Sequence, residues 1–218
     1  MTTLSEFHTM VGDEINKGTR YDSVISRFVR RAGRFIERNY NFLYMERFAE
    51  LDLDLSAANP RFIAFPSLLT KKINFVRYPT VIGGSDNQGY IYLQKVDPID
   101  VTAIEPESNP RGYWQTGDET GSNFLVLDQI GTDELTFEVH YIDFSIWPTA
   151  STATHWLIDN AEDVLLAQTM RMMAPYANEP DWILAYKSMW EEGIRTLTMV
   201  DEEARNAGIA DGYKMVYR

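Results

Sequence analysis

The chain of 218 residues is 44% hydrophobic and 24% charged, and it carries a net charge of −12. This length and composition are typical of a globular protein with a buried core and exclude a disordered chain. The chain contains no Cys, which excludes disulfides, cysteine zinc sites and a cysteine nucleophile.

The distribution of charged and apolar residues bears on DNA binding and on cellular location. Acidic residues dominate after residue 50, whereas the basic block lies between Arg20 and Arg38. Because an acidic surface repels phosphates, most of the chain is not expected to bind DNA. We expect no signal peptide and no transmembrane helix, since neither pattern is present, and we expect synthesis in a cytoplasm.

Two amphipathic helices are predicted at the N-terminal end. Residues 3–16 have apolar residues at helical spacing, and Asp22 is the expected N-cap of a second helix. One side of this second helix is an apolar stripe that includes Phe35. We name the opposite side the Arg face, and it consists of Arg27, Arg30, Arg31, Arg34 and Arg38.

After about residue 46 the apolar period changes from helical to alternating, which predicts β-strands. The clearest strand is ELTFEVHYIDF, in which Leu135 and Phe137 face one way and Glu134 and Thr136 the other. The segment KKINFVRYP is expected to be a strand that ends at Pro79. The other predicted strands are ELDLDLS, GYIYLQKV, GYWQTG and NFLVLDQI, joined by turn-forming residues. The pattern indicates an antiparallel sandwich or a small barrel.

Helical spacing returns after this region. A third helix is predicted from about His155 to Met173, with Thr152 or Thr154 as its cap and a stop near Pro175. Its last turns bring Met170, Met172 and Met173 together, and we expect these side chains to belong partly to the core and partly to an interface between subunits.

A last helix is predicted from Asp181, its N-cap, to about Ala207, where Gly208 is expected to end it. The remaining residues have no helical period and are expected to form an arm.

The order of these elements predicts an α+β fold. The helices at the two ends of the chain have complementary apolar stripes, which favours one four-helix bundle with the β-domain inserted. The predicted domains are a helical bundle of residues 1–47 and 148–207, a β-domain of residues 48–147 and a C-terminal arm of residues 208–218.

Few residues suggest catalysis. His8, His140 and His155 lie in different elements without metal-ligand spacing and are expected to be surface or capping residues. Asp52 and Asp54 alternate with inward-facing leucines, so we expect them to face water. We therefore predict no catalytic residue, no metal and no cofactor, with a metal-dependent hydrolase using these two Asp residues as the enzyme alternative.

The Arg face admits three interpretations. It is a solvated helix face, a nucleic-acid contact or an interface to an acidic neighbour. Since the rest of the chain is acidic, further copies of the same protein can supply that neighbour. Such a contact between two different surfaces is heterologous and closes into rings.

The C-terminal third of the chain, which follows the predicted β-region, contains a series of motifs. A helix beginning T-x-W-L ends in A-P-Y, and a long helix rich in Trp, Tyr and Glu follows a short polar break. The segments RYDSVISRFVRRAGRFIERNY, RGYWQTG and ELTFEVHYIDF precede it in that order. This order resembles the head-to-tail adaptor (connector) proteins of tailed bacteriophages. The matching residues are Thr154, Trp156, Leu157, Asp163, Ala174, Pro175, Tyr176, Trp182, Trp190 and Glu191.

The resemblance implies a virion structural protein at the neck between head and tail. Such adaptors form a ring, usually of twelve copies, that docks on the portal, extends the channel for double-stranded DNA and offers a platform to tail or nozzle proteins, away from any membrane. Another neck or tail-completion protein is the alternative. The candidate subunit or portal interface consists of Arg27, Arg30, Arg31, Arg34, Arg38, Met172, Met173, Tyr213, Tyr217 and Arg218.

Overall fold

The computed structural model describes residues 2–15, 21–57, 59–66, 69–81, 88–98, 109–117, 123–129 and 134–211. It confirms a mixed α+β fold with helices at both ends of the chain and strands between them. The chain divides into two compact units. The described residues up to Met45 and from Phe144 onward form the helical unit, and those from Glu46 to Asp143 form the β-unit.

The helical unit contains long helices from both ends of the chain. The helices are α1 Leu4–Ile15, α2 Asp22–Asn39, α3 Trp156–Asn160, α4 Glu162–Ala177, α5 Asp181–Ala185 and α6 Lys187–Asp211, with a 3₁₀ turn at Leu43–Met45. Helix α4 packs against both α2 and α6, and α1 packs against α2.

The two N-terminal helices follow their sequence periods. The apolar stripes of α1 and α2 are buried at Leu4, Phe7, Val11, Ile15, Ile25, Phe28, Val29, Ala32 and Ile36. The predicted cap of α2 was displaced by one residue, because Tyr21 occupies the cap position and Asp22 is the first helical residue. Phe35 differs from the rest of the stripe, since 39% of its surface is exposed.

The third predicted helix is two helices. Ala161 leaves helical geometry with φ −151° and ψ 42°, which separates α3 from α4. The predicted caps Thr152 and Thr154 are wrong, because Nδ1 of His155 accepts the hydrogen bond from the Leu157 N–H that an N-cap provides. Helix α4 also continues through Pro175.

Helix α4 ends at Asn178, which adopts the left-handed conformation with φ 58°. Its backbone N–H closes the last turn on Ala174 and Pro175. This is the αL ending that Gly or Asn favours.

The last predicted helix is also divided. Pro180 rather than Asp181 occupies its cap position, and Tyr186 separates the short α5 from α6. Helix α6 continues through Gly208, so the prediction that this glycine ends the helix is wrong. The first part of the predicted arm is therefore helical, and the rest, residues 212–218, lies outside the described residues.

The β-unit contains two four-stranded sheets. The strands are β1 Glu46–Asp52, β2 Phe62–Ala64, β3 Thr70–Val81, β4 Gln88–Tyr92, β5 Gln94–Lys95, β6 Gly112–Gly117, β7 Asn123–Leu127 and β8 Thr136–Asp143. The strand orders of the two sheets are β1-β8-β3-β4 and β2-β7-β6-β5, and the pairs are antiparallel except for a short parallel pair between β5 and β6. The described strands form no closed barrel.

Both sheets contribute to one apolar core. Phe137 and Val139 of β8 lie in this core together with Leu125 and Leu127 of β7. Alternation along β8 is confirmed, because Thr136 is exposed between core residues. In β1 the same alternation buries Leu51, leaves Asp52 exposed and continues past the end of the strand.

Pro79 does not end its strand, as the sequence had suggested. It lies inside β3 and is paired with Tyr90 of β4, while the pairing of β3 with β8 extends only to Arg77. Pro79 therefore sits where β3 is hydrogen-bonded on one side only. A missing N–H is tolerated at such an edge position.

Candidate interaction surface

The Arg face lies on the exposed side of α2. Arg27, Arg30, Arg31 and Arg38 are exposed, and Arg34 is half-buried. Together with Phe35 and Met172 these five side chains line one concave pocket of about 400 Å³. Six of the ten residues predicted for the interface thus lie together in the folded helical unit.

One aromatic ring of the same unit supports two of these arginines. The guanidinium groups of Arg27 and Arg31 lie 5.6 Å and 5.8 Å from the ring centroid of Phe28. Phe28 is buried. Because a cation is attracted to the face of an aromatic ring, these contacts help to orient the two side chains outward from the helix.

Arg34 has a different role. Its Nη1 lies 3.5 Å from Oε2 of Glu37, a side chain that is fully buried. Its guanidinium also lies 5.6 Å from the ring centroid of Phe144. Arg34 therefore stabilises the core of the helical unit as well as lining the pocket, so its substitution tests folding and binding together.

The pocket has an apolar part that the sequence interpretation did not include. Phe35 was assigned to the buried stripe, but it is partly exposed and its ring centroid lies 6.1 Å from that of Trp190. The guanidinium of Arg171 lies over the same indole ring, 5.7 Å from the Trp190 ring centroid. The signal available in the sequence was the position of Phe35 next to Arg34 at the margin of the stripe.

One predicted interface residue is a core residue. Met173 is fully buried within the helical unit, as Met170 is, whereas Met172, the residue before Met173, reaches the pocket. Successive helical residues point about 100° apart, so neighbours in sequence face different surroundings. Tyr213, Tyr217 and Arg218 lie outside the described residues.

A buried polar cluster lies beneath the C-terminal half of α2. Oε1 of Glu37 accepts hydrogen bonds from the Ser145 N–H and the Trp156 Nε1–H, each at 3.2 Å, and lies 3.6 Å from Nε2 of His155. Desolvation raises the pKa of Glu37, and it lowers the pKa of His155 to about 4. Both side chains are shielded from solvent, so this pair joins α2 to the chain that re-enters the helical unit and offers no access to a substrate.

The outer side of the β1-β8-β3-β4 sheet carries an aromatic row. The rings of Phe48 and His140 stack at 4.3 Å between centroids, and the guanidinium of Arg77 lies 3.9 Å from the Tyr90 ring centroid. Arg77 also donates to the hydroxyl of Tyr92 at 3.0 Å. Phe48, Tyr90 and Tyr92 are exposed. Exposed Tyr, Phe and Arg side chains are the types that protein interfaces concentrate.

The two aspartates considered as metal ligands have other partners. Asp52 accepts a hydrogen bond from the Thr136 hydroxyl, and Asp54 accepts from the N–H and hydroxyl of Ser56. The Ser56 hydrogen bonds lower the pKa of Asp54. Within the described residues, no group of three or more His, Asp or Glu side chains is placed to hold a metal ion.

A second concave region, of about 590 Å³, lies in the β-unit beside β6. Its charged lining residues in the described part of the chain are Lys95 and Asp97. The helices that the structure describes include none with the length and apolar character needed to cross a membrane.

Comparison with known proteins leaves the family open. No protein-family model matches the chain, and no curated protein matches it significantly.

Proposed function

We propose that this protein is a bacteriophage virion structural protein, the head-to-tail adaptor whose copies form a ring on the portal. The observation that carries the proposal is the Arg face, with five arginines on one helix of a chain whose net charge is −12. Such a chain carries complementary charges on different surfaces of the same molecule. This distribution favours heterologous contacts between copies, which generate rings when the rotation between neighbours closes.

The ring body in this proposal is a four-helix bundle of α1, α2, α4 and α6. The packing of α2 and α6 on α4, and of α1 on α2, supports this arrangement. The bundle uses helices from before and after the β-unit in the sequence, so the insertion of the β-unit leaves the bundle complete. The order of motifs that resembles the adaptor family is the second support.

The β-unit takes the role of a docking platform for tail or nozzle proteins. Its exposed aromatic row beside Arg77 supports this role, because hot spots at interfaces are enriched in Tyr and Arg. The protein has no catalytic role in this proposal. DNA passes through the channel without sequence-specific binding, since an acidic wall offers few cations to hold phosphates.

A map of the particle neck by electron cryomicroscopy tests the proposal directly. We expect a ring of this chain between the portal and the tail, with the helical unit on the portal side. Purified protein mixed with portal rings should also form a complex. If the chain is absent from the neck and does not bind portal rings, the proposal is wrong.

Charge reversal tests the role of the Arg face in that complex. Arg30→Glu combined with Arg31→Glu should weaken assembly on portal rings, and more strongly at low than at high salt, because salt screens exposed charges. Lys72→Glu, on the exposed surface of β3 in the β-unit, is a control for a general effect of charge on the portal complex. Unchanged assembly of the Arg30/Arg31 variant would show that this face is a solvated surface.

The alternative within the same class is another neck or tail-completion protein. The same map separates the two by copy number and position in the particle. A ring away from the portal would assign the chain to that alternative.

A further inference from the structure

Helix α6 presents an exposed surface that is acidic at both ends and includes two exposed apolar residues between them. Glu192 and Glu203 are exposed, and between them 51% of Met199 and 56% of Val200 are exposed. We name this surface the acidic face of α6. Exposed apolar side chains flanked by charges are typical of surfaces that bind another protein.

The acidic face repeats the spacing of the Arg face. Phe35 and Arg38 follow Arg27 by eight and eleven residues, and Val200 and Glu203 follow Glu192 by the same two intervals. Eleven residues are close to three helical turns, so each set lies on one side of its helix. The terminal charges are about 16 Å apart along both helices, at 1.5 Å per residue.

We infer that the Arg face of one copy binds the acidic face of α6 on a second copy of this chain. The matched spacing places Arg27 and Arg38 against two carboxylates and places Phe35 and Met172 against Met199 and Val200. This inference rests on the proposed ring and identifies the two surfaces that build it.

The two faces belong to different helices of the helical unit, both of which pack on α4. Because the two faces share no residue, one copy can use its Arg face for one neighbour and its acidic face for another. The contact is heterologous and repeats from copy to copy, as a ring requires. An isologous dimer would instead place identical surfaces together.

The composition of the pocket favours a protein over nucleic acid as its occupant. Phosphates provide the negative charge that the arginines need, but they provide nothing for the apolar part formed by Phe35 and Met172. The acidic face provides both. Arg195 is the basic residue between Glu192 and Glu203, and it opposes the contact by like-charge repulsion.

Exchange of charges between the two faces tests the inference. Arg27→Glu with Arg38→Glu, and separately Glu192→Arg with Glu203→Arg, should each weaken self-association by about tenfold or more, as judged by analytical ultracentrifugation at low salt. A mixture of the two double variants should associate again, because every contact in an alternating oligomer is then complementary. The quadruple variant should also recover, and Arg195→Gln should strengthen association.

Any one of three outcomes would overturn the inference. In the first, the mixture and the quadruple variant associate no better than the double variants. In the second, the wild-type chain shows no self-association at any concentration or on portal rings, and in the third the Glu192/Glu203 variant associates normally. A loss of binding to double-stranded DNA in the Arg27/Arg38 variant, together with normal self-association, would assign the Arg face to nucleic acid.

Cross-linking provides a test that does not depend on charge. Because the chain has no cysteine, Arg31→Cys in one preparation and Thr196→Cys in a second, tagged preparation are the sole thiols in a mixture. A short bis-maleimide linker should join the two variants to each other. Cross-links only between like variants would overturn the inference.

The cross-link also separates this inference from the proposed function. Virions that carry Glu192→Arg with Glu203→Arg and still contain complete neck rings would overturn the contact but leave the adaptor proposal standing. If the wild-type chain is absent from the neck but the Arg31→Cys and Thr196→Cys variants still cross-link, only the adaptor proposal is overturned.

Discussion

The imidazole Nε2 of His155 lies 3.6 Å from Oε1 of Glu37, and solvent reaches neither side chain. Three segments meet at this pair. Glu37 lies in the last turns of α2, Ser145 in the chain that re-enters the helical unit, and His155 at the start of α3. The stability of the helical unit therefore depends on how these two groups are protonated.

We predict that His155 makes the protein less stable in acid. In the unfolded chain its imidazole binds a proton near pH 6.5, whereas in the folded chain its pKa is about 4. Between these values the unfolded state binds more protons, so the free energy of unfolding falls as the pH falls, by about 3 kcal/mol over the whole interval. His155→Asn, which keeps a capping oxygen, should flatten this slope in urea unfolding measured between pH 4.5 and 7.5. An unchanged slope would contradict the prediction.

Glu37→Gln and Glu37→Ala should differ strongly in how much stability they cost. Gln keeps an oxygen for the Ser145 and Trp156 N–H groups and removes the buried charge, so we expect little loss of stability at pH 7. Ala leaves two buried donors and Arg34 without their partner and should cost about 3 kcal/mol or more. Chemical denaturation of both variants at pH 7 measures the difference.

The pH dependence of the Gln variant provides a second measurement at this site. Burial raises the pKa of Glu37 above 4.5 in the folded protein. The protonated carboxyl therefore contributes to the free energy of unfolding at low pH, and this contribution is lost as the pH rises through the folded pKa. Because Gln resembles the protonated acid, the stability of Glu37→Gln relative to wild type should increase with pH. A constant difference would show that Glu37 titrates normally.

Gly33→Ala should destabilise the helical unit although alanine favours helices. A Cβ at this position would lie 2.3 Å from Cζ3 of Trp147, whose ring is buried and packs on His155 with centroids 4.3 Å apart. We expect a loss of about 1–3 kcal/mol from overpacking. Gly12→Ala is the matched control, because its Cβ would meet Ile25 at an ordinary 3.7 Å. The control should gain about 0.5–1 kcal/mol in thermal unfolding.

Arg77→Lys should weaken the β-unit. Nε and Nη2 of Arg77 lie 2.8 Å and 2.7 Å from Oε2 of Glu138 on β8, and its guanidinium lies over the Tyr90 ring of β4. A lysine ammonium lacks the planar group that makes these contacts together, so we expect a loss of about 1 kcal/mol. Lys72→Arg, on the exposed surface of the same strand, is the control. Equal unfolding midpoints for the two variants would contradict the role of Arg77.

Local periodicity predicted most of the secondary structure. The stripes of α1 and α2 and the alternation of β8 depend on residues within a few positions of one another, and the structure has them as the sequence indicated. Five arginines at helical spacing on α2 also necessarily share one side of that helix. The helix ends were less predictable, because Gly208 and Pro175 are accommodated inside helices that tertiary packing extends.

The sequence by itself determined the mixed α+β class, the apolar stripes of the N-terminal helices and the existence of the Arg face. Tertiary structure alone decided that Phe35 lines the pocket beside that face, that Met173 enters the core while Met172 does not, and that His155 caps α3 beside Glu37. The physical reason is the range of the interactions. Periodicity shows which side of a helix or strand is buried. The pocket and the buried pair depend instead on contacts between residues more than one hundred positions apart in the sequence.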